Sequence, residues 1–146
     1  MLSMTAQYAL RALAYIAGHD GQRPVLARDI AAKTGVPHYY LSRILRDATR
    51  AGLLESARGV GGGFRLARPS SKIRLHEVLA PFDDLLDRSK CPFGQLQCND
   101  KHACGFHKFW KPISQAYWRM LDDAMLSEVG MRGLAPAGRS RRRGSR

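Results

Sequence analysis

The sequence predicts a mainly α-helical chain interrupted by one small β-hairpin. Three observations carry that fold class. Apolar residues recur at i, i+3, i+4 spacing in three stretches, residues 4–17, 39–52 and 108–128. A glycine-rich run, "RGVGGGFR", lies between two short extended runs rather than at the start of a helix. Apolar residues make up 45% of the 146, enough to bury a core.

The elements follow in order. Residues 4–17, "MTAQYALRALAYIA", read as a helix with Leu10, Leu13, Ala14 and Ala17 on one face. "GHDGQRP", with two glycines and a proline, reads as a loop. "LARDIAAKTG" is a short helix closed by Gly35. After the turn "VPHYY", the segment "YYLSRILRDATRAG" forms a helix. Leu41, Ile44, Leu45 and Ala48 are its buried stripe, and Gly52 ends it. Extended runs near Leu53–Ala57 and Phe64–Leu66 flank the glycines and pair as a hairpin. Helix, helix, short turn, helix, hairpin is the order of a winged helix-turn-helix domain, assigned to residues 1–69.

Residues 70–86 are expected to connect, with a serine pair at their start and a helix from about Leu75. Residues 87–107 lack helical periodicity and contain all three cysteines. A long helix is expected over 108–129, with Ile113, Ala116, Tyr117, Met120, Leu121 and Ala124 on its apolar face and Pro112 in its first turn. Residues 130–146 are rich in Gly, Ala, Ser, Pro and Arg and read as a disordered basic tail.

Composition narrows the function classes. The longest apolar run, Ala9 to Ala17, is interrupted by Arg11 and is far short of the ~20 residues that span a bilayer. The N-terminus lacks the pattern of a signal peptide, so a cytoplasmic protein without membrane contact is expected. An odd cysteine count there argues against a disulfide framework and leaves free thiols or a metal site. Net charge is +12, and the last sixteen residues supply six arginines and no acid. Without them 12 − 6 = +6 remains, so the body is basic too and points to an anionic partner, double-stranded DNA first. No nucleophile–base pair stands out, and nothing binds an organic substrate or cofactor. The glycine run lacks the Gly-Lys-Ser/Thr ending of a P-loop and does not open a helix as a dinucleotide motif would. A non-enzyme without a small-molecule substrate is expected.

If the third helix enters a major groove, its polar face must carry the donors. Opposite the apolar stripe stand Tyr39, Tyr40, Ser42, Arg43, Arg46 and Arg50. Residues near the N-terminus of such a helix reach base edges while flanking arginines meet phosphates. Arg43 and Ser42 are thus base-reading candidates, with Tyr40 and His38 beside them. In the hairpin, Gly59 and Val60 sit at the tip, and Arg58 and Arg65 bracket it. An arginine at a narrow tip suits a minor groove.

The stretch "CPFGQLQCNDKHACGFH" has the intervals Cys-x6-Cys-x5-Cys-x2-His. Thiolates are soft ligands, and three on one loop can converge on one site. His107 is the nearest fourth ligand, with His102 and Asp100 as substitutes. A Cys3His zinc site, an iron–sulfur cluster and unliganded thiols all remain open, although structural zinc favours Cys-x2–4-Cys pairs that are lacking here.

"YALRALAYIA", "VPHYYLSRILRDATRAGLLESARGVGGGFRLARP" and the cysteine loop resemble the Rrf-two family of bacterial winged-helix transcriptional regulators, over about residues 2–128. "CGFHKFW" is similar to the IscR type of that family, with the NsrR type second. The resemblance implies an iron–sulfur cluster on Cys91, Cys98, Cys104 and His107, [2Fe–2S] favoured and [4Fe–4S] possible, with zinc as the alternative metal. It also implies a homodimer on a near-palindromic operator, and sensing of iron–sulfur, redox or nitric oxide status. Some NsrR-type members take a ligand from an acid in the first helix; Gln7 stands at that position here. The chain departs from the family pattern at Val60, where the wing commonly has proline, and at Pro112 in the helix after the loop. It departs also in the first cysteine interval, one residue longer than in the IscR type, and in the reading-helix side chains.

Overall fold

A computed structural model describes residues 2–83, 90–131 and 134. Helix α1, Met4–Ala17, starts at Ser3, whose hydroxyl accepts the Ala6 N–H at 3.1 Å. Its buried residues are Ala6, Ala9, Ala12, Leu13, Ala14 and Ile16, while Leu10 and Ala17 are only half-buried. The inner face is therefore turned from the one expected. Neighbouring helices pack against α1 from several sides, and small alanines let them approach.

Helix α2, Ala27–Thr34, buries Ile30 and Thr34 and is closed by the Gly35 N–H on the Ala31 carbonyl. A turn of three residues leads to α3, His38–Arg50. The predicted stripe of α3, Leu41, Ile44, Leu45 and Ala48, is buried against α1 and the hairpin.

The hairpin pairs β1, Leu54–Ala57, with β2, Gly63–Leu66, antiparallel, with Leu54 opposite Leu66 and Glu55 opposite Arg65. Its base is tied to the α1–α2 connection, where Val25 and Phe64 exchange both backbone hydrogen bonds at 2.8 Å. Gly63 lies at φ +136, and a Cβ there would stand 2.5 Å from the Val25 carbonyl oxygen. Only glycine lets the wing root pass so close to that backbone.

Helix α4 covers only Leu75–Leu79 and runs into a 3-10 turn over Ala80–Phe82. Pro81 explains this break from the helix expected to run on from about Leu75 through the connecting segment 70–86. It has no N–H for the Glu77 carbonyl, and its ring crowds that turn. Residues 84–86 of that span lie outside the described residues. Asp83 is buried: its carboxylate accepts the Ser3 N–H at 2.6 Å, and the Ser3 hydroxyl donates to the Phe82 carbonyl at 3.1 Å.

Helix α5, His107–Asp123, begins one residue before the expected 108 and ends well before 129. Leu75 N–H bonds the Ala124 carbonyl at 3.0 Å and Leu126 N–H bonds the Ile73 carbonyl at 2.8 Å. These bonds pull the chain into an extended path that buries Leu126. At the other end, because α5 starts at His107, Pro112 lies inside the helix, in its second turn rather than its first. The tail expected from residue 130 starts differently. Met131 and Leu134 pack on the core, with a Leu134 N–H bond to the Met131 carbonyl at 3.1 Å. Residues 132, 133 and 135–146 lie outside the described residues. Among the described residues, no helix is long and apolar enough to cross a membrane.

Candidate functional site

Two regions carry candidate chemistry. On α3, His38, Tyr39, Tyr40, Ser42, Arg43, Arg46 and Arg50 are all exposed, because the buried stripe fixes the opposite side of the helix inward. All of these except Tyr40 line one shallow concave surface. Tyr40 packs its ring on Tyr8 of α1, centroids 5.4 Å apart, and meets the Tyr39 ring edge-on. The Ser42 hydroxyl donates to the His38 carbonyl at 3.0 Å, so it is left as an acceptor.

Asp47, which was not among the predicted residues, lines the same surface. Its carboxylate lies 3.7 Å from Arg43 Nε and 3.4 Å from Arg46 Nε. Its i,i+4 relation to Arg43 is the signal that could have found it.

Arg58, Gly59 and Val60 are exposed at the wing. Arg65 is exposed but engaged: its guanidinium meets the cross-strand Glu55 carboxylate through Nη2 at 2.9 Å and Nε at 3.0 Å.

The cysteine loop leads directly into α5. Cys91, Cys98 and Cys104 are free, half-buried thiols. The His107 N–H donates to the Cys104 carbonyl at 2.9 Å, which places His107 in the first turn of α5. Cys98 Sγ lies 3.6 Å from His107 Nδ1. Cys91 Sγ accepts the Phe93 N–H at 3.4 Å. Phe93 stacks on Phe106, centroids 4.9 Å apart, and meets Trp110 edge-on at 6.1 Å, joining the start of the loop to its end.

Burial pushes the Cys98 thiol above its ordinary value, and Cys91, Cys104 and Asp100 push it further. Cys91 and Cys104 thus both lie within electrostatic reach of Cys98, the thiol nearest His107. Among the described residues, no group of three or more His, Cys, Asp or Glu side chains could hold a metal ion directly.

Asp100 bonds His107 Nε2 at 2.8 Å and Lys111 Nζ through both carboxylate oxygens at 2.8 Å. Lys111 first, then His107, hold its carboxyl below the ordinary value. His102, the other substitute ligand, has its N–H capped by the Asn99 side chain at 2.9 Å. The sequence gives the loop its ligand types but not these partners, because an irregular segment has no period to reveal which side chains meet.

Comparison with known proteins converges on one family. The model of the Rrf2 family, iron-dependent transcriptional regulators, matches residues 2–131. The chain is 33% identical over 128 residues to the HTH-type transcriptional regulator IscR of Vibrio atlanticus, covering 88% of this chain and 73% of that one. It is 33% identical over 130 residues to IscR of Vibrio cholerae, covering 89% and 75%. Among solved structures, T. potens IscR superposes with a TM-score of 0.71 at 24% identity over 88% of this chain and 84% of that one. CymR, the global cysteine regulator of B. subtilis, superposes at 0.74 with 21% identity over 88% and 94%. With the winged helix-turn-helix in place and the polar side of α3 exposed, the chain belongs to the Rrf2 family of DNA-binding transcriptional regulators, which are not enzymes.

Proposed function

We propose that this regulator binds its operator under the control of an iron–sulfur cluster held by Cys91, Cys98, Cys104 and His107. The observation that carries this reading is Cys98 Sγ at 3.6 Å from His107 Nδ1, with the other two thiols close enough to act on Cys98. A lone zinc, with Zn–S of about 2.3 Å, needs ligands drawn tightly together. The Cys-x6-Cys-x5-Cys spacing lacks the close cysteine pairs that structural zinc prefers, and a cluster, being a wider body, tolerates it better. When bound, the cluster, [2Fe–2S] by preference, supplies a group that reacts with oxidants and nitric oxide. His107 in place of a fourth thiolate makes the ligand set one negative charge poorer and the site more oxidising, which fits a labile sensor.

On the DNA side, Arg43 and Ser42 read base edges in the major groove beside Tyr40 and His38, while Tyr39, Arg46 and Arg50 lie toward the backbone. Arg58, beside Gly59 and Val60, enters the minor groove. Arg65 must leave Glu55 to reach a phosphate. Two copies pair through the exposed side of α5, where Ile113 and Met120 are 59% and 51% exposed, and so present two reading helices to a near-palindromic operator. The setting is the cytoplasm, where thiols stay reduced.

Anaerobic reconstitution with iron and sulfide tests the reading. The expected product is a brown protein with visible charge-transfer absorption, lost in His107→Ala and Cys98→Ala, whose operator affinity changes with loading. A colourless protein holding one zinc per chain would falsify it.

A further inference from the structure

We propose that Asp100 is a positioning residue for the cluster site: it holds His107 by Nε2, so that Nδ1 is the nitrogen offered to the thiols of the loop. The inference rests on the reading of His107 as a ligand.

A neutral imidazole has one donor and one acceptor nitrogen, and its hydrogen-bond partners decide which is which. An ionised carboxylate has only acceptors. Asp100 Oδ1 at 2.8 Å therefore fixes the hydrogen on Nε2 and leaves the Nδ1 lone pair bare. Cys98 Sγ stands on the Nδ1 side at 3.6 Å, where a thiol can donate to that lone pair and a metal can replace the thiol proton. Lys111 Nζ, 2.8 Å from both oxygens of Asp100, keeps that carboxylate ionised and in place.

His107 and Lys111 are four residues apart in α5, so they stand on the same side of the helix one turn apart. Asp100 reaches from the loop to both. The imidazole is thereby held at two points, its backbone by the helix and its Nε2 by the carboxylate. Asp100 has the residue type of a ligand, but its bond to Nε2 gives it the outer role of a carboxylate behind a ligating histidine. Such partners raise ligand basicity and fix ring orientation, and their loss costs 10- to 100-fold in metal affinity. A purely structural ion pair would act differently. The Asp100 side chain is 70% exposed while that of His107 is 13% exposed, and exposed pairs contribute little to the fold.

The test uses the full chain reconstituted anaerobically, with histidine carrying nitrogen-15 at Nδ1 only. The parent, reduced to its paramagnetic state, should show strong hyperfine coupling to the label. Asp100→Ala should lose its iron to a chelator 10- to 100-fold faster than the parent, with the Nδ1 coupling weakened. Asp100→Asn keeps an acceptor for the Nε2 hydrogen and should restore the coupling, with a lifetime between the two. A parent that couples through Nε2, an Asp100→Ala protein with parental coupling and lifetime, or an Asp100→Asn protein as labile as Asp100→Ala overturns the proposal. His107→Ala separates the failures. If the parent shows no nitrogen coupling that His107→Ala removes, the ligand reading falls and takes this inference with it. If His107→Ala removes the coupling and Asp100→Ala changes nothing, only the positioning role falls.

Discussion

Asp47 places a negative charge between two arginines that a duplex would otherwise draw to itself. Its carboxylate is 3.7 Å from Arg43 and 3.4 Å from Arg46. On the proposed reading of Arg43 as a base-contacting residue, DNA phosphates would have to outcompete Asp47, whereas the right base edge would offer Arg43 a bidentate contact in exchange. The charge thus penalises non-specific binding more than specific binding. Asp47→Asn is expected to raise affinity for random duplex and to steepen the slope of log K against log salt by about 1 for each arginine released. Arg43→Ala should cost about 1–3 kcal/mol on the operator and narrow its margin over random DNA. Fluorescence anisotropy across a salt series measures both, and an unchanged slope in Asp47→Asn would sink the argument. The positive residues of this surface were legible because the stripe Leu41, Ile44, Leu45, Ala48 fixes which way α3 faces. Asp47 is harder to read from the sequence because one acid among many arginines does not change the sign of the surface.

Elements were legible where periodicity ran unbroken and misread where tertiary bonds overrode it. The apolar spacing of 108–128 continues through Ala124, but backbone bonds to Leu75 and Ile73 end α5 at Asp123. In α4 the break is local instead: Pro81 cuts the helix to a little over one turn. So short a helix depends on its cap. Glu77 supplies it: Oε2 accepts the Arg74 N–H at 2.9 Å, and the carboxylate pairs with Arg68. Burial works to raise the Glu77 carboxyl, but the Arg74 N–H and the Arg68 guanidinium outweigh it and hold the group below its ordinary value of 4.5. A depressed carboxyl stabilises the fold above the unfolded value, and that contribution is lost as pH falls through the folded one. Glu77→Gln keeps the capping oxygen but loses the charge that pairs with Arg68, so it should cost about 0.2–1 kcal/mol at neutral pH and flatten the stability profile below about pH 4.5. Urea unfolding at several pH values checks this; parallel profiles for the two proteins would refute it.

At the scale of the molecule, α5 buries Leu121 in the core while leaving Phe109, Ile113 and Met120 exposed. Three large apolar residues along one helix are costly in water and suit a second copy of the same helix. Ile113→Glu is expected to yield a monomer by sedimentation, with operator affinity falling at least tenfold because one half-site must then be held alone. A dimer that survives the substitution would move the interface elsewhere. The ties on either side of the cysteine loop carry a different consequence. Asp83 is fastened to Ser3, and His107 is fastened into the first turn of α5. Between fixed ends, loop-closure entropy grows only with the logarithm of length, so one residue more or fewer within 84–106 changes it by less than ~0.1 kcal/mol. Closure entropy alone therefore sets little limit on the length of this segment. Within the loop the constraint falls on the residues that hold it together, the Phe93–Phe106 stack and the Asp100 bonds to His107 and Lys111, so a change of length is tolerated only where it leaves those contacts in place.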